Sequence, residues 1–101
     1  MNVEFKDNGY LILPAKLVEQ YFPARLLLAF CKEDEMWLLP VRGAGAGGLL
    51  LKQRNLQGDC SVLIWELFPE GMPQGKRKAV WDAERGALRV KVKLPESTLS
   101  A

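Results

Sequence analysis

Val3-Glu4-Phe5-Lys6-Asp7-Asn8-Gly9-Tyr10-Leu11-Ile12-Leu13-Pro14 is the stretch that decides the fold. Val3 to Lys6 alternates apolar and polar side chains, the period of a half-buried strand. Asp7-Asn8-Gly9 follows, and Asn-Gly is a strong hairpin signal because both residues tolerate positive φ. Tyr10 to Leu13 then reads as the return strand. Pro14 ends it, because a missing N–H breaks a strand ladder but costs nothing at the start of a helix. Residues 15–22 form a short helix with Leu17, Val18, Tyr21 and Phe22 on one face and Lys16, Glu19 and Gln20 on the other. Pro23 stops it.

Further along, Arg25 to Cys31 is a mostly apolar run of strand length, Lys32 to Glu35 is a charged turn, and Met36 to Leu39 returns before Pro40. Residues 1–41 are therefore a hairpin, a short helix and a second hairpin. Residues 43–48 are the one low-complexity stretch, and their glycines make a flexible loop. A phosphate-binding loop needs Gly-Lys-Ser/Thr leading into a helix, whereas Leu49-Leu50-Leu51 follows here. Residues 49–94 read as β-rich: a short apolar strand at Leu49–Leu51, turn chemistry at 54–59, and a strand at Ser61–Phe68 with Trp65 inside it. A Pro/Gly loop over 69–75 precedes a strand at Lys78–Trp81, a turn at Asp82–Gly86 and a strand at Ala87–Leu94. In the last strand Leu88, Val90, Val92 and Leu94 share one face and Arg89, Lys91 and Lys93 the other. Residues 95–101 have no pattern and are expected to fray. The expected fold class is mainly β: one domain, a small barrel or sandwich of hairpins with one short helix.

Composition removes several function classes. The chain has 101 residues, no histidine and a formal charge of +2. Without histidine there is no Ser-His-Asp or Cys-His catalysis and no His-ligated metal. Cys31 and Cys60 form no CxxC pair. Cys60 lacks the usual general base, and Cys31, at the end of an apolar strand, is expected to be a buried thiol. Glu33-Asp34-Glu35 reads as a solvated turn, with no second ligand cluster to complete a metal site. No enzyme activity, cofactor or metal is expected. Asn2, Glu4, Lys6 and Asp7 interrupt any secretory leader, and no run is long and apolar enough to span a bilayer, so a cytoplasmic protein with no membrane contact is expected.

Residues 5–17, Phe-Lys-Asp-Asn-Gly-Tyr-Leu-Ile-Leu-Pro-Ala-Lys-Leu, resemble the opening of the AbrB/MraZ/MazE family of small bacterial DNA-binding domains. That opening is an acidic residue, a glycine turn and a short apolar strand ending in Ile/Leu-x-Pro-Ala/Lys-Lys/Glu, followed by a helix. The hairpin of residues 26–41, with its Met36-Trp37-Leu38-Leu39-Pro40, continues the likeness, which covers about the first 41 residues. The resemblance implies a transcriptional regulator that forms an intertwined homodimer, with one barrel built from the hairpins of two subunits. By position it implies DNA contact through Lys6, Asn8, Lys16 and Arg25. The family commonly places arginine after the turn glycine, where this chain has Tyr10.

Charge is unevenly spread along the chain. Residues 1–41 carry four basic and six acidic residues, and residues 42–101 carry ten and six. The basic residues of the second part cluster as Lys76-Arg77-Lys78 and as Arg89, Lys91 and Lys93, and pairing of the two strands would bring them onto one surface. That surface reads either as a phosphate-binding face or as the solvated side of an antiparallel strand. Trp37, Trp65 and Trp81 each fall in a strand, where they suit core or interface packing. Two functions are therefore carried forward: a DNA-binding regulator of the AbrB/MraZ kind, and a non-catalytic accessory module that docks a protein partner through exposed apolar surface.

Overall fold

The computed structural model describes residues 1–43 and 48–92. The strands are β1 (Asn2–Phe5), β2 (Tyr10–Leu13), β3 (Leu26–Lys32), β4 (Glu35–Pro40), β5 (Leu49–Leu50), β6 (Lys52–Gln53), β7 (Cys60–Leu63), β8 (Gly75–Asp82) and β9 (Ala87–Lys91), with one α-helix, α1 (Ala15–Tyr21). All nine strands join one antiparallel sheet in the order β5-β3-β4-β9-β8-β1-β2-β7-β6, which curls into a nearly closed barrel. The mainly β class with one short helix is thus observed, and one chain supplies every strand.

Closure comes from residues 49–53, where β5 and β6 are the two ends of one bent segment. Its first half pairs with β3, Leu26 opposite Leu50 and Leu27 opposite Leu49. Its second half pairs with β7, Lys52 opposite Ser61 and Gln53 opposite Cys60. Leu51 between them is buried and donates its N–H to the Arg25 carbonyl at 2.8 Å.

Turn chemistry sets three of the four hairpins as follows. Lys6 N–H donates to the Tyr10 carbonyl at 2.9 Å, so the first loop has three residues and Gly9 alone has positive φ, +92°. That is the geometry of a turn ending in a left-handed residue rather than of a two-residue Asn-Gly turn. The β3–β4 hairpin closes at Lys32 opposite Glu35, with Glu33 at φ 59°. In the β8–β9 loop, Asp82 accepts the Arg85 N–H at 3.1 Å and Gly86 takes φ 60°.

Strand alternation sends Val3, Phe5, Leu11, Leu13, Met36, Leu38, Leu88 and Val90 into the barrel, where all are buried. Burying each such side chain stabilises the fold by roughly 1.5–3 kcal/mol. Leu17, Val18 and Phe22 pack α1 against this core. No side chain of α1 itself caps its start. Asp59, from the loop before β7, does so by accepting the Ala15 N–H at 2.9 Å. Leu67, Phe68 and Met72 also pack on the core, and Phe68 meets Phe5 edge-on with ring centroids 5.9 Å apart.

Four expectations need correction. Trp65 is not in a strand: β7 stops at Leu63 and residues Trp65–Leu67 form a 3-10 turn. β2 offers only four residues for pairing, and the Ile64 N–H closes that ladder on the Gly9 carbonyl at 2.9 Å. Cys31 is exposed and Cys60 is the buried thiol, because Cys31 lies on the part of β3 beyond the reach of β5. The strand expected at 78–81 runs from Gly75 to Asp82, drawn out by its pairing with β1. The last strand ends at Lys91, and the frayed tail assigned to residues 95–101, together with Lys93 and residues 44–47 of the glycine-rich loop, falls outside the described residues.

Candidate functional site

The barrel carries three chemically distinct outer surfaces. The first spans β8, β1, β2, β7 and β6. Register places Lys76, Glu4, Ile12, Ser61 and Lys52 in one outward row, and Lys78 opposite Asn2. Lys16 stands on α1, beside the Asn55–Asp59 loop that caps the helix, and Arg54 opens that loop. Lys16, Lys52, Arg54, Lys76 and Lys78 are exposed and have no carboxylate partner among the described residues. Lys6 pairs with Glu4 at 3.3 Å.

The residues expected to contact DNA from the N-terminal motif do not share one patch. Lys6 and Asn8 sit at the β1–β2 turn, where Asn8 Oδ1 accepts the Tyr10 N–H at 3.3 Å. Lys16 and Arg25 sit at the helix end of the barrel, beyond the length of β2. Arg25 has φ 59° and donates to Gln53 Oε1 at 3.3 Å.

β8 and β9 do pair, as the sequence suggested, but their cations do not form one free surface. Arg77 alternates to the inward side between Lys76 and Lys78; it faces Val3 on β1 and donates to the carbonyls of Gln74 and Lys76. Arg89 is bound from two sides, by Glu35 Oε1 at 2.7 Å and by Asp82 Oδ2 at 3.2 Å. Lys91 lies 3.9 Å from Asp34. Asp34, Glu35 and Asp82 thus neutralise Arg89 and Lys91, and among the described residues the surface over β9 and β4 is balanced rather than cationic.

Trp37 anchors that second surface. It is 8% exposed, stacks on Phe30 with centroids 5.8 Å apart, and carries the Arg89 guanidinium 4.8 Å from its ring centre. Trp81 stacks on Tyr21 of α1 at 4.3 Å. Both tryptophans are packing residues, and Trp65 alone of the three is open to solvent.

The third surface is apolar. Leu28 and Phe30 on β3, Leu50 on β5, Leu63 on β7 and Trp65 beyond it are all exposed. Between β3 and the 63–67 segment lies a groove of about 440 Å³, lined by Leu28, Leu49, Leu63, Trp65, Glu66 and Leu67 among others. Sequence reasoning missed this site. Its signal was the run Leu49-Leu50-Leu51 after the glycines, which leaves a leucine on each side of a bent segment.

Two carboxylates have pKa values held below the usual carboxylate value. The Asn55 side-chain amide and then the Ala15 N–H do this at Asp59; at Asp82 the Arg85 N–H acts first, with Arg89 adding. Burial pushes the Cys60 thiol up, away from the nucleophilic thiolate. A carboxylate with a depressed folded pKa contributes stability above its unfolded pKa and loses it as pH falls through the folded one. Stability should therefore drop as pH falls below about 4, and Asp59→Asn and Asp82→Asn should each flatten that drop. Urea midpoints measured across acidic pH check this.

No family model, no curated protein and no solved structure matches the chain. Among the described residues no helix is long and apolar enough to cross a membrane.

Proposed function

We propose that the chain is a non-catalytic protein-interaction module whose docking face is the apolar surface around β3, β5 and β7. One observation carries this reading: five large apolar side chains, from Phe30 at 41% exposed to Leu50 at 56%, crowd one side of the barrel. Scattered single apolar residues need no explanation, but a contiguous patch beside a groove marks an interaction site. The absence of histidine from the chain agrees with a role without general acid-base chemistry of the usual kind. The test is affinity capture from a lysate of the source organism after nuclease treatment. A discrete protein should be retained, and the Leu28→Lys/Leu63→Lys double variant should lose it while keeping its circular dichroism spectrum. Equal retention by that variant would overturn the reading.

A second reading, DNA binding of the AbrB/MraZ kind by a homodimer, is supported by the five unpaired cations on the β8-β1-β2-β7-β6 surface. Phosphate contacts give salt-dependent affinity, so duplex DNA should bind more weakly as salt rises. On this reading Lys76→Glu/Lys78→Glu should weaken binding by about tenfold or more, because two phosphate contacts become repulsive. Arg89→Ala should leave DNA affinity nearly unchanged, since its fork already holds Glu35 and Asp82. Fluorescence anisotropy at two salt concentrations, with sedimentation to give the mass, decides it.

A further inference from the structure

The apolar surface has a backbone component. The Val41 N–H donates to the Leu26 carbonyl at 3.0 Å, which turns the backbone groups of Leu26 toward β4. Alternation along β3 then turns Leu28, Phe30 and Lys32 toward β4 as well, and Leu27, Ala29 and Cys31 the other way. On that other side, among the described residues, β5 covers β3 as far as Leu27, opposite Leu49. Ala29 and Cys31 therefore hold N–H and C=O groups outward along the seam, and among the described residues no backbone group pairs with them. Leu67 meets this edge through one weak hydrogen bond, in which the Cys31 thiol donates to its carbonyl at 3.9 Å. An edge of this kind is a template for another strand.

Among the described residues, the charged side chains lining the grooves along the seam are all acidic. The groove beside Leu28 contains Glu66. On the far side of Leu67, a second groove of about 350 Å³ contains Glu33 and Glu70 together with Cys31, Phe68 and Met72. Among the described residues no lysine or arginine lines either groove, and none of the three glutamates has a cationic partner. An incoming segment thus meets backbone donors and acceptors, apolar side chains and unpaired carboxylates.

We propose that the edge of β3 from Ala29 to Cys31 is a strand-addition site for an extended segment of a partner protein in which apolar residues alternate with lysine or arginine. Alternation presents one side-chain set to the apolar surface and lets the cations reach the glutamates at the groove rims. The proposal rests on the protein-interaction reading and makes it specific.

The probe is a blocked heptapeptide of alternating lysine and valine, titrated into the full chain and followed by amide NMR. Ala29 and Cys31 amides should shift and gain exchange protection, and a peptide with glutamate for lysine should bind at least about tenfold more weakly. Ala29→Pro is the decisive variant: it deletes the N–H on the seam side and leaves the β4 ladder its hydrogen bonds. It should abolish binding while the Leu28 and Phe30 amides stay protected. Glu66→Lys, at an exposed residue with no ion pair among the described residues, should weaken binding by about tenfold. No binding, binding unchanged by Ala29→Pro, shifts that map elsewhere, or concentration-dependent pairing of two copies through this edge would overturn strand addition. Nuclease-resistant capture of a partner by the Ala29→Pro variant would separate the two ideas: the docking reading would stand and the strand-addition mode would fall.

Discussion

Phe5→Ala is expected to lose about 3–5 kcal/mol of stability, the range for emptying a buried aromatic site. Phe5 is 1% exposed on the inward side of β1, between Leu11 on β2 and Gly75 on β8. Its edge-on contact with Phe68 at 5.9 Å adds a term of about 0.5–1.5 kcal/mol beyond area burial. For a domain of this length, total stability is about 5–15 kcal/mol, so the change removes a large share. The loss should also be felt at a distance. Phe68 follows Leu67, and Leu67 lies along the seam where β3 is unpaired. Denaturant unfolding gives the main effect, and amide exchange at Cys31 should report the secondary one. Phe30→Ala is the control. Phe30 is 41% exposed and stacks only on Trp37, so its removal should cost about 1 kcal/mol. A similar loss at both sites would mean that the barrel interior is not the main source of stability.

The expected elements that held were those written in local chemistry. Asp7-Asn8-Gly9 and Asp82 to Gly86 gave turns because glycine admits positive φ wherever the chain must reverse. The alternation Leu88, Arg89, Val90, Lys91 gave the correct faces of β9. What failed depended on partners distant in sequence. Trp65 lies in a run as β-like as any in the chain, yet a strand extends only as far as its neighbour, and β2 ends the pairing at Leu63. Cys31 points to the inner side of β3, and only the early departure of β5 exposes it. Arg77 was legible: period two sets it on the same side as Ala79, opposite to Lys76 and Lys78. Grouping the three as one basic run ignored the pleat.

The candidate sites show the same division. Splitting the charge at the glycine-rich stretch suggested a basic second half, but the barrel redistributes it around its circumference. Glu35 and Asp82 reach Arg89 because β4 and β8 flank β9. Four cations without a carboxylate partner among the described residues stand instead on both borders of the β1–β2 hairpin, Lys76 and Lys78 on one side and Lys52 and Arg54 on the other. The one local trace of the apolar seam is the run Leu49-Leu50-Leu51, and its place is set by where a nearly closed sheet fails to close.

Gly9→Ala should cost about 2–4 kcal/mol, more than any ordinary surface change, from two sources. The first is backbone conformation. Gly9 has φ +92°, and an L-residue held there is strained by about 1–3 kcal/mol. The second is crowding. A methyl group at Gly9 would stand 2.9 Å from Trp65 Cβ, an atom fixed to the backbone of the 3-10 turn. Trp65 cannot swing away by rotating its side chain, so the turn itself must move, and with it the Ile64 N–H bond to the Gly9 carbonyl. Gly86→Ala separates the two sources. Gly86 also has positive φ, at 60°, but an added Cβ there meets nothing within 4 Å. Its cost should be conformational alone, about 1–2 kcal/mol. The difference between the two variants, read from denaturant midpoints, measures how firmly the β1–β2 turn holds the segment that borders the seam. If the two costs are equal, Trp65 yields freely and the groove beside it is adaptable. If Gly9→Ala costs more and also shifts Trp65 fluorescence, the turn is a rigid wall. A rigid wall favours a partner strand aligned along β3, because an ordered edge spends less conformational entropy on binding.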